Sequence, residues 1–600
     1  MNNKLERVLH RVQKPSRYTG GEYNQIIKDK DRTEIRIAFC FPDTYEIGMS
    51  NLGLRIMYGI LNGIEGVWCE RVFAPWLDME EEMRREKISL YGLESYDPIG
   101  DFDIIAFSIG YELSYTNVLN MLDLAGVTLR SSARGEDEPL VIAGGLSCYN
   151  PEPLADFIDL FVIGDGEDVA STLVELYKSC KKNDASKESF LLEASKLDGI
   201  YVPSQYNVEY DIGGTISKII PSANAALPVR RRIVPDLDCS FFPVDTIVPS
   251  IGLVHDRVVL ELFRGCIHGC RFCQAGYITR PMRSRTKEVL VRQGIDSICA
   301  TGYDEIALLS LSTSDYADLV SLCDGLIDWC EPRKVSLSLP SLRADNFSVE
   351  LMERVQKVRK SGLTFAPEAG SQRLRDVINK NLTDEDLVNT CRVAFEGGWN
   401  AVKLYFMLGL PTETDEDVLG IAELAQTILH TWRQYAKNKN RGVRITVSTS
   451  CFIPKAHTPF QWEAQITMEE YSRRVKLLKE AINSKSITYK WHCAMQGFIE
   501  AVLARGDRRL GAVIDAAWQN GARLDSWSEC FSIEHWNNAF LSCGIDPSFY
   551  ANRERSDEIL PWSIVAAGVS DEFYEAERAA AYSGLKSPDC LAGCAGCGAC

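Results

Sequence analysis

Cys266, Cys270 and Cys273 lie in one run, Phe263-Arg-Gly-Cys-Ile-His-Gly-Cys-Arg-Phe-Cys-Gln-Ala-Gly-Tyr277. Three thiolates at Cys-x3-Cys-x2-Cys spacing suit three irons of a 4Fe-4S cluster. Full ligation takes four thiolates, so one iron stays open to chemistry. A zinc loop is the bland alternative, but zinc sites close four ligands around the ion. Gly265 and Gly269 let the backbone wrap an inorganic core. Such a loop constrains the fold, because a rigid element must deliver it to a ligand-binding rim. The β-rich segment 258–262 stands directly before it.

That segment opens a series. From about 255 to 485, β-rich runs at 258–262, 305–311, 334–339, 363–367, 401–408 and 442–449 alternate with helical stretches at 351–360, 384–396, 415–433 and 468–482. Strand–helix alternation predicts a parallel sheet with right-handed crossovers. Six units fit an incomplete (β/α)6 barrel, whose chemistry would lie at the carboxyl ends of the strands. Polar residues do follow each strand. They are the cysteine loop, Ser310-Leu-Ser-Thr-Ser-Asp-Tyr316, Ser338-Leu-Pro-Ser-Leu-Arg343, Ala366-Pro-Glu-Ala-Gly-Ser-Gln-Arg373, Met407-Leu-Gly-Leu-Pro-Thr-Glu413 and Ser450-Cys-Phe-Ile-Pro-Lys-Ala-His-Thr-Pro459. Ser371 is also placed to cap the helix that follows it.

The loop and the ordered strand ends resemble the radical S-adenosylmethionine (radical SAM) superfamily. The resemblance implies that the cofactor's amino and carboxylate groups chelate the open iron. An electron from the cluster then splits the C–S bond and releases a 5′-deoxyadenosyl radical. By the same resemblance Cys266, Cys270 and Cys273 are catalytic cluster ligands and Phe272 faces the adenine. Ser312, Ser314, Arg343, Glu368 and Ser371 position the cofactor, and Gly409 and Pro411 shape the adenine site through the backbone. Segment 450–459 is similar to the one closing the barrel floor in cobalamin-linked and methylthiolating relatives.

Residues 34 to about 180 alternate strand and helix as well. Glycines end two of the strands, Gly144-Gly145 and Gly164-Asp-Gly166-Glu, as in a doubly wound Rossmann-like sheet with a ligand crevice. These glycines are equally suited to tight turns. The pattern resembles the cobalamin-binding domain that precedes many radical SAM barrels. In that family a histidine in Asp-x-His-x-x-Gly ligates cobalt. Here the run is Asp43-Thr-Tyr45-Glu-Ile-Gly48, so either cobalamin binds without a protein histidine or the cofactor has been lost. The rival for this third is the cluster domain of methylthiotransferases, with Cys40, Cys69 and Cys148 as candidates.

The chain ends Cys590-Leu-Ala-Gly-Cys594-Ala-Gly-Cys597-Gly-Ala-Cys600, four thiols separated by small residues. They suit a second iron–sulfur cluster or zinc. The region before them, 486–585, has helical periodicity and reads as a lid on the barrel mouth, with Glu500, Arg505, Asp507 and Arg508 in reach of substrate. The expected division is 1–210 cobalamin-binding-like domain, 211–250 linker, 251–485 barrel and 486–600 helical region. The whole order of parts resembles an uncharacterised family of cobalamin-domain-containing radical SAM proteins.

The net charge of −18 argues against a chain built to coat nucleic acid. Arg230, Arg231 and Arg232, and Arg280, Arg283, Arg285 and Lys287, are expected to form solvated faces or salt bridges. Of 20 cysteines, seven fall in the two clusters. The amino terminus lacks a signal-like apolar core and no run of 18 apolar residues occurs, which predicts a reducing cytoplasm and no membrane partner. The expected function is reductive cleavage of S-adenosylmethionine, with cobalamin-dependent methylation if cobalamin binds. Sulfur insertion into RNA or protein is one alternative, and a non-catalytic iron–sulfur scaffold another. A flavodoxin or ferredoxin is the expected electron donor.

Overall fold

The computed structural model describes residues 3–222, 225–339, 363–553 and 556–599. The amino-terminal sheet contains β1 (Ile35–Phe41), β2 (Val67–Phe73), β3 (Ile104–Ser108), β4 (Leu140–Gly144), β5 (Leu160–Val162) and β6 (Ile200–Tyr201). Its order is β2-β1-β3-β4-β5-β6, parallel except for β6. Apolar runs such as Ile35-Arg-Ile-Ala-Phe-Cys-Phe41 form strands because helices cover both faces. Strand β2 escapes that signal, because it carries Glu70 and Arg71. Both are fully buried. Arg71 bonds Glu94 at 2.7 Å and Glu22 at 2.9 Å, which replaces the hydration these charges lose.

The expected linker is structured. A hairpin of β7 (Tyr206–Tyr210) and β8 (Ile216–Pro221) crosses residue 211, and β9 (Val229–Arg230) pairs with the distant β19 (Val565–Ala566). The barrel strands follow. They are β10 (Val258–Glu261), β13 (Glu305–Leu309), β14 (Ser336–Ser338), β15 (Leu363–Glu368), β16 (Ala401–Leu408), β17 (Arg444–Cys451) and β18 (Ile487–Trp491), with β11 (Phe263–Arg264) and β12 (Arg283–Ser284) as a small antiparallel pair. They form parallel sheets in the orders β10-β13-β14 and β15-β16-β17-β18. Six strands stand where the alternation placed them. The seventh, β18, lies beyond the expected boundary at 485. It is a half-exposed edge strand, Ile-Thr-Tyr-Lys-Trp, with little apolar signal. The expected helix 351–360 lies outside the described residues.

The carboxyl-terminal helices Ala494–Arg505, Leu510–Gln519 and Ile533–Cys543 do not form the expected lid. Ile499, Val502, Leu503, Val513, Ile514 and Trp536 are buried in the same apolar core as the amino-terminal sheet. Arg130 pairs with Asp515 at 3.0 Å, and Thr116 donates to Asp525 at 2.9 Å. Among the described residues no helix is long and apolar enough to cross a membrane.

Candidate functional site

Strand β10 delivers the cysteine loop, and the β11–β12 pair brackets it. Gly265 has φ +93°, and a Cβ there would stand 2.8 Å from the Met282 Cα and the Pro281 carbonyl, so only glycine fits. The loop is held from several sides. Arg271 N–H donates to the Ile378 carbonyl at 3.0 Å. Asn379 Nδ2 and the Tyr277 hydroxyl both donate to the Gly269 carbonyl, at 3.1 and 3.3 Å. His268 Nε2 lies 2.8 Å from Asp315 Oδ2. Burial, with Cys270 as a like-charged neighbour, pushes the Cys266 thiol up to about 12 and the Cys273 thiol up to about 11. These thiols need a strongly cationic core before they ionise together, which iron supplies. No three His, Cys, Asp or Glu side chains among the described residues converge as around a single ion. A cube carries each thiolate on its own iron.

The strand ends surround this loop. Ser312 is buried, and its Oγ has no hydrogen-bond partner among the described residues. Ser314 sits in the adjacent turn Thr313–Asp315. Glu368 ends β15 at φ +69°, 3.3 Å from Lys380 Nζ. Burial raises its pKa, and its charge is felt at Cys273. Thr412 and His457, just beyond β16 and β17, also have positive φ, at 64° and 56°. Left-handed non-glycine residues cost about 1–3 kcal/mol each and gather at ligand sites. Gly409 has φ +95°, and its N–H donates to Glu413 Oε2 at 2.7 Å, closing a turn over Pro411. Burial raises the Glu413 carboxyl to about 7 beside Arg474. Phe272 packs with Ala369, Leu410 and Met407. Ser371 is instead committed to the protein. It accepts from Leu374 N at 3.1 Å as a helix cap and donates to Asp417. Arg343 lies outside the described residues.

A cavity of about 520 Å³ opens at the carboxyl ends of β3, β4 and β5. Gly110, Gly144, Gly145, Gly164 and Gly166 line it on one side, and Glu261, Arg264, Ile278 and Thr279 on the other. Gly145 and Gly164 are glycine for internal reasons. A Cβ would meet Ile109 O at 2.4 Å and Arg232 O at 2.2 Å. Gly110, Gly144 and Gly166 are different, since no atom lies within 3.4 Å of a Cβ built there. Their bare backbone edges leave room for a ligand. Arg264, two residues before Cys266, pairs with Glu167 at 2.5 Å and Asp165 at 3.3 Å, and Arg283 pairs with Asp165 at 2.6 Å. Cavity and cysteine loop therefore share one wall. Tyr45 does not line the cavity. It is buried, with its hydroxyl donating to Glu22 Oε1 at 2.8 Å.

Residues 260–425 match the family model described as the radical SAM superfamily, and 53–203 the one described as radical SAM proteins, N-terminal. The chain is a radical SAM enzyme. It is 28% identical over 486 residues to an uncharacterized protein of Methanocaldococcus jannaschii, covering 80% of this chain and 90% of that protein. It is 26% identical over 203 residues to the threonylcarbamoyladenosine tRNA methylthiotransferase of Bacillus subtilis, covering 32% and 42%. Among solved structures, the cobalamin-dependent S-adenosylmethionine radical enzyme OxsB superposes with TM-score 0.48 at 12% identity, covering 86% of this chain and 72% of that one.

Several residues of this radical SAM enzyme differ from expectation. Arg505 is fully buried and donates to the carbonyls of Gln461, Glu463, Tyr550 and Arg553. Asp507 binds Arg509 and the Tyr550 hydroxyl, and Arg508 binds Glu152. These three tie segments together rather than reach a substrate. Arg231, Arg280, Arg283 and Arg285 are buried too. Arg231 donates to the Ile278 carbonyl at 2.6 Å and Arg285 to that of Leu237, while the expected salt bridges appear as Arg283–Asp165 at 2.6 Å and Arg285–Glu261 at 3.6 Å, and Arg230 is exposed. Cys40 and Cys69 are buried within β1 and β2, and Cys148 in the turn after Gly145. Glu500 does meet other functional groups. The Lys455 ammonium lies 2.9 Å from it and 2.8 Å from Glu112, and the Tyr111 hydroxyl donates to it at 2.6 Å. Lys455, Glu112 and Tyr111 were not legible in the sequence, because three separate segments bring them together.

Proposed function

We propose that this enzyme holds a 4Fe-4S cluster on Cys266, Cys270 and Cys273, binds S-adenosylmethionine at its open iron, and carries a corrinoid in the cavity for methyl transfer to a substrate carbon. When bound, the cluster supplies the electron that splits the C–S bond. The residues around it have simpler tasks. Ser312 and Ser314 offer hydroxyls toward the methionine portion, and Glu368 accepts from the ribose or amino group. The Gly409–Pro411 turn and Phe272 wall the adenine. The protein thus binds, orients and shields, while the cofactors carry the chemistry.

The observation carrying the corrinoid reading is the cavity wall shared with the cysteine loop, with three glycine edges left open opposite it. Tyr45 is turned to Glu22 and does not line the cavity, so a corrinoid held there would take no ligand from that position. The test is cobalt and the visible spectrum of protein purified without oxygen and supplied with hydroxocobalamin. Near one cobalt per chain is expected, falling at least about tenfold in Gly110→Leu and Gly166→Leu at unchanged melting temperature. No cobalt retained by the unaltered chain would overturn the corrinoid reading. An RNA or protein substrate, and a flavodoxin or ferredoxin as donor, belong to the same proposal.

A second reading, sulfur insertion, is favoured by the methylthiotransferase relatives. It requires another cluster, and Cys40, Cys69 and Cys148 are buried in separate elements of the amino-terminal core, which leaves the tail thiols to hold one. Sulfide consumption with a methylthio product would select it over methylation.

A further inference from the structure

The last eleven residues lie outside both family matches, yet their described part docks on the cysteine loop. Cys590 N–H donates to the Ile267 carbonyl at 3.0 Å, and Ile267 is bonded to Cys266. Arg271, between Cys270 and Phe272, is fully buried. Its Nε donates to Glu577 at 3.0 Å and its Nη2 to the Leu585 carbonyl at 2.8 Å, gripping the chain that leads into the tail. Cys597 is buried beside Tyr277, Phe573 and Tyr574.

Arg280 joins the two groups of thiols. Its Nε and Nη2 donate to the carbonyls of Gly276 and His268, at 3.2 and 3.3 Å. Its Nη1 is buried with no hydrogen-bond partner among the described residues. The Cys597 sulfur lies beside this guanidinium, and Cys590 is within electrostatic range. A buried cation with a spare donor is costly unless an anion faces it. Neutral thiols leave that donor unmet. The thiolates and sulfides of an iron–sulfur cluster would meet it, as hydrogen bonds to cluster sulfurs do. Gly596 N–H already donates to Cys594 Sγ at 3.4 Å.

We propose that the tail is a second iron–sulfur site, held by Cys590, Cys594 and Cys597, and that it feeds electrons to the catalytic loop across the Cys590–Ile267 hydrogen bond. The relay function rests on the radical SAM reading of the loop; the site itself does not. One electron passes per turnover. The tail site is oxidised as the loop site is reduced, and a low-potential one-electron protein donor of the flavodoxin class restores the tail.

The experiment compares three full-length proteins reconstituted with iron and sulfide: the unaltered chain, a Cys590/Cys594/Cys597/Cys600→Ser variant and a Cys266/Cys270/Cys273→Ala variant. Iron, sulfide and zinc are counted, and electron paramagnetic resonance is recorded after dithionite reduction. About eight irons are expected in the unaltered chain and about four in each variant. The signal of the loop variant should not respond to S-adenosylmethionine. The tail variant should form 5′-deoxyadenosine with dithionite, but about tenfold more slowly with reduced flavodoxin. Equal iron in the unaltered chain and the tail variant, or one zinc per chain lost with the tail, overturns the site. Four irons lost with no slowing under flavodoxin overturns the relay. If the tail variant does not fold, the loop variant still decides, since retained iron then sits on the tail and its absence refutes the proposal. Full iron in the unaltered chain without 5′-deoxyadenosine under dithionite indicts the radical reading instead.

Discussion

At the residue scale, the most informative groups are buried polar atoms without partners. Ser312 keeps a hydroxyl from water and gives it no acceptor among the described residues. Such a group weakens the free protein and strengthens a complex that satisfies it. Ser312→Ala should therefore leave the melting temperature equal or higher, while S-adenosylmethionine affinity falls by about 1 kcal/mol, roughly fivefold. Calorimetric titration beside thermal denaturation checks both. His457 offers a pH test. Burial lowers its pKa from 6.5 to about 4, and its Nε2–H donates to the Tyr149 carbonyl at 3.0 Å. Between those values the unfolded chain binds a proton that the folded one refuses, so stability rises with pH across about 4 to 6.5. The contribution is of order 3 kcal/mol. Urea unfolding of the unaltered chain and His457→Gln should show a flatter profile for the variant in that window. The cysteine spacing was legible because ligand chemistry is local. The roles of Arg505, Asp507 and Arg508 were not, because a run of charges does not reveal that its partners are distant carbonyls.

At the element scale, the described barrel strands and helices follow the apolar periodicity closely. Helix Asp384–Glu396 coincides with its expected span, since Thr383 and Asp386 form a capping box at its start. The missed strands have physical causes. Charges paired inside β2 hide it, and exposure on one face hides β18. The lid reading failed for a related reason, because helical periodicity shows that a face is buried but not against what. Arg505 is fully buried and ties four carbonyls of that region together. Arg505→Met should cost about 3 kcal/mol or more and lower the melting temperature by several degrees. An unchanged melting temperature would mean that the clamp is dispensable.

At the scale of the whole molecule, the amino-terminal sheet, the barrel and the carboxyl-terminal helices form one arrangement rather than beads on a string. The helices complete the core of the sheet, β19 pairs with β9, and Arg264 and Arg283 join the glycine-rich loop to the cysteine loop. This convergence was not legible in the sequence, which shows parts in order but not which ends face one another. Its consequence is a cavity and a cysteine loop sharing one wall. The central claim is that this wall serves radical chemistry begun at Cys266, Cys270 and Cys273. The most direct measurement is 5′-deoxyadenosine formed from S-adenosylmethionine by anaerobically reconstituted, dithionite-reduced protein, beside Cys270→Ala. The account predicts 5′-deoxyadenosine from the unaltered chain and none from the variant. No 5′-deoxyadenosine from protein with its full iron, or equal amounts from both, would contradict it.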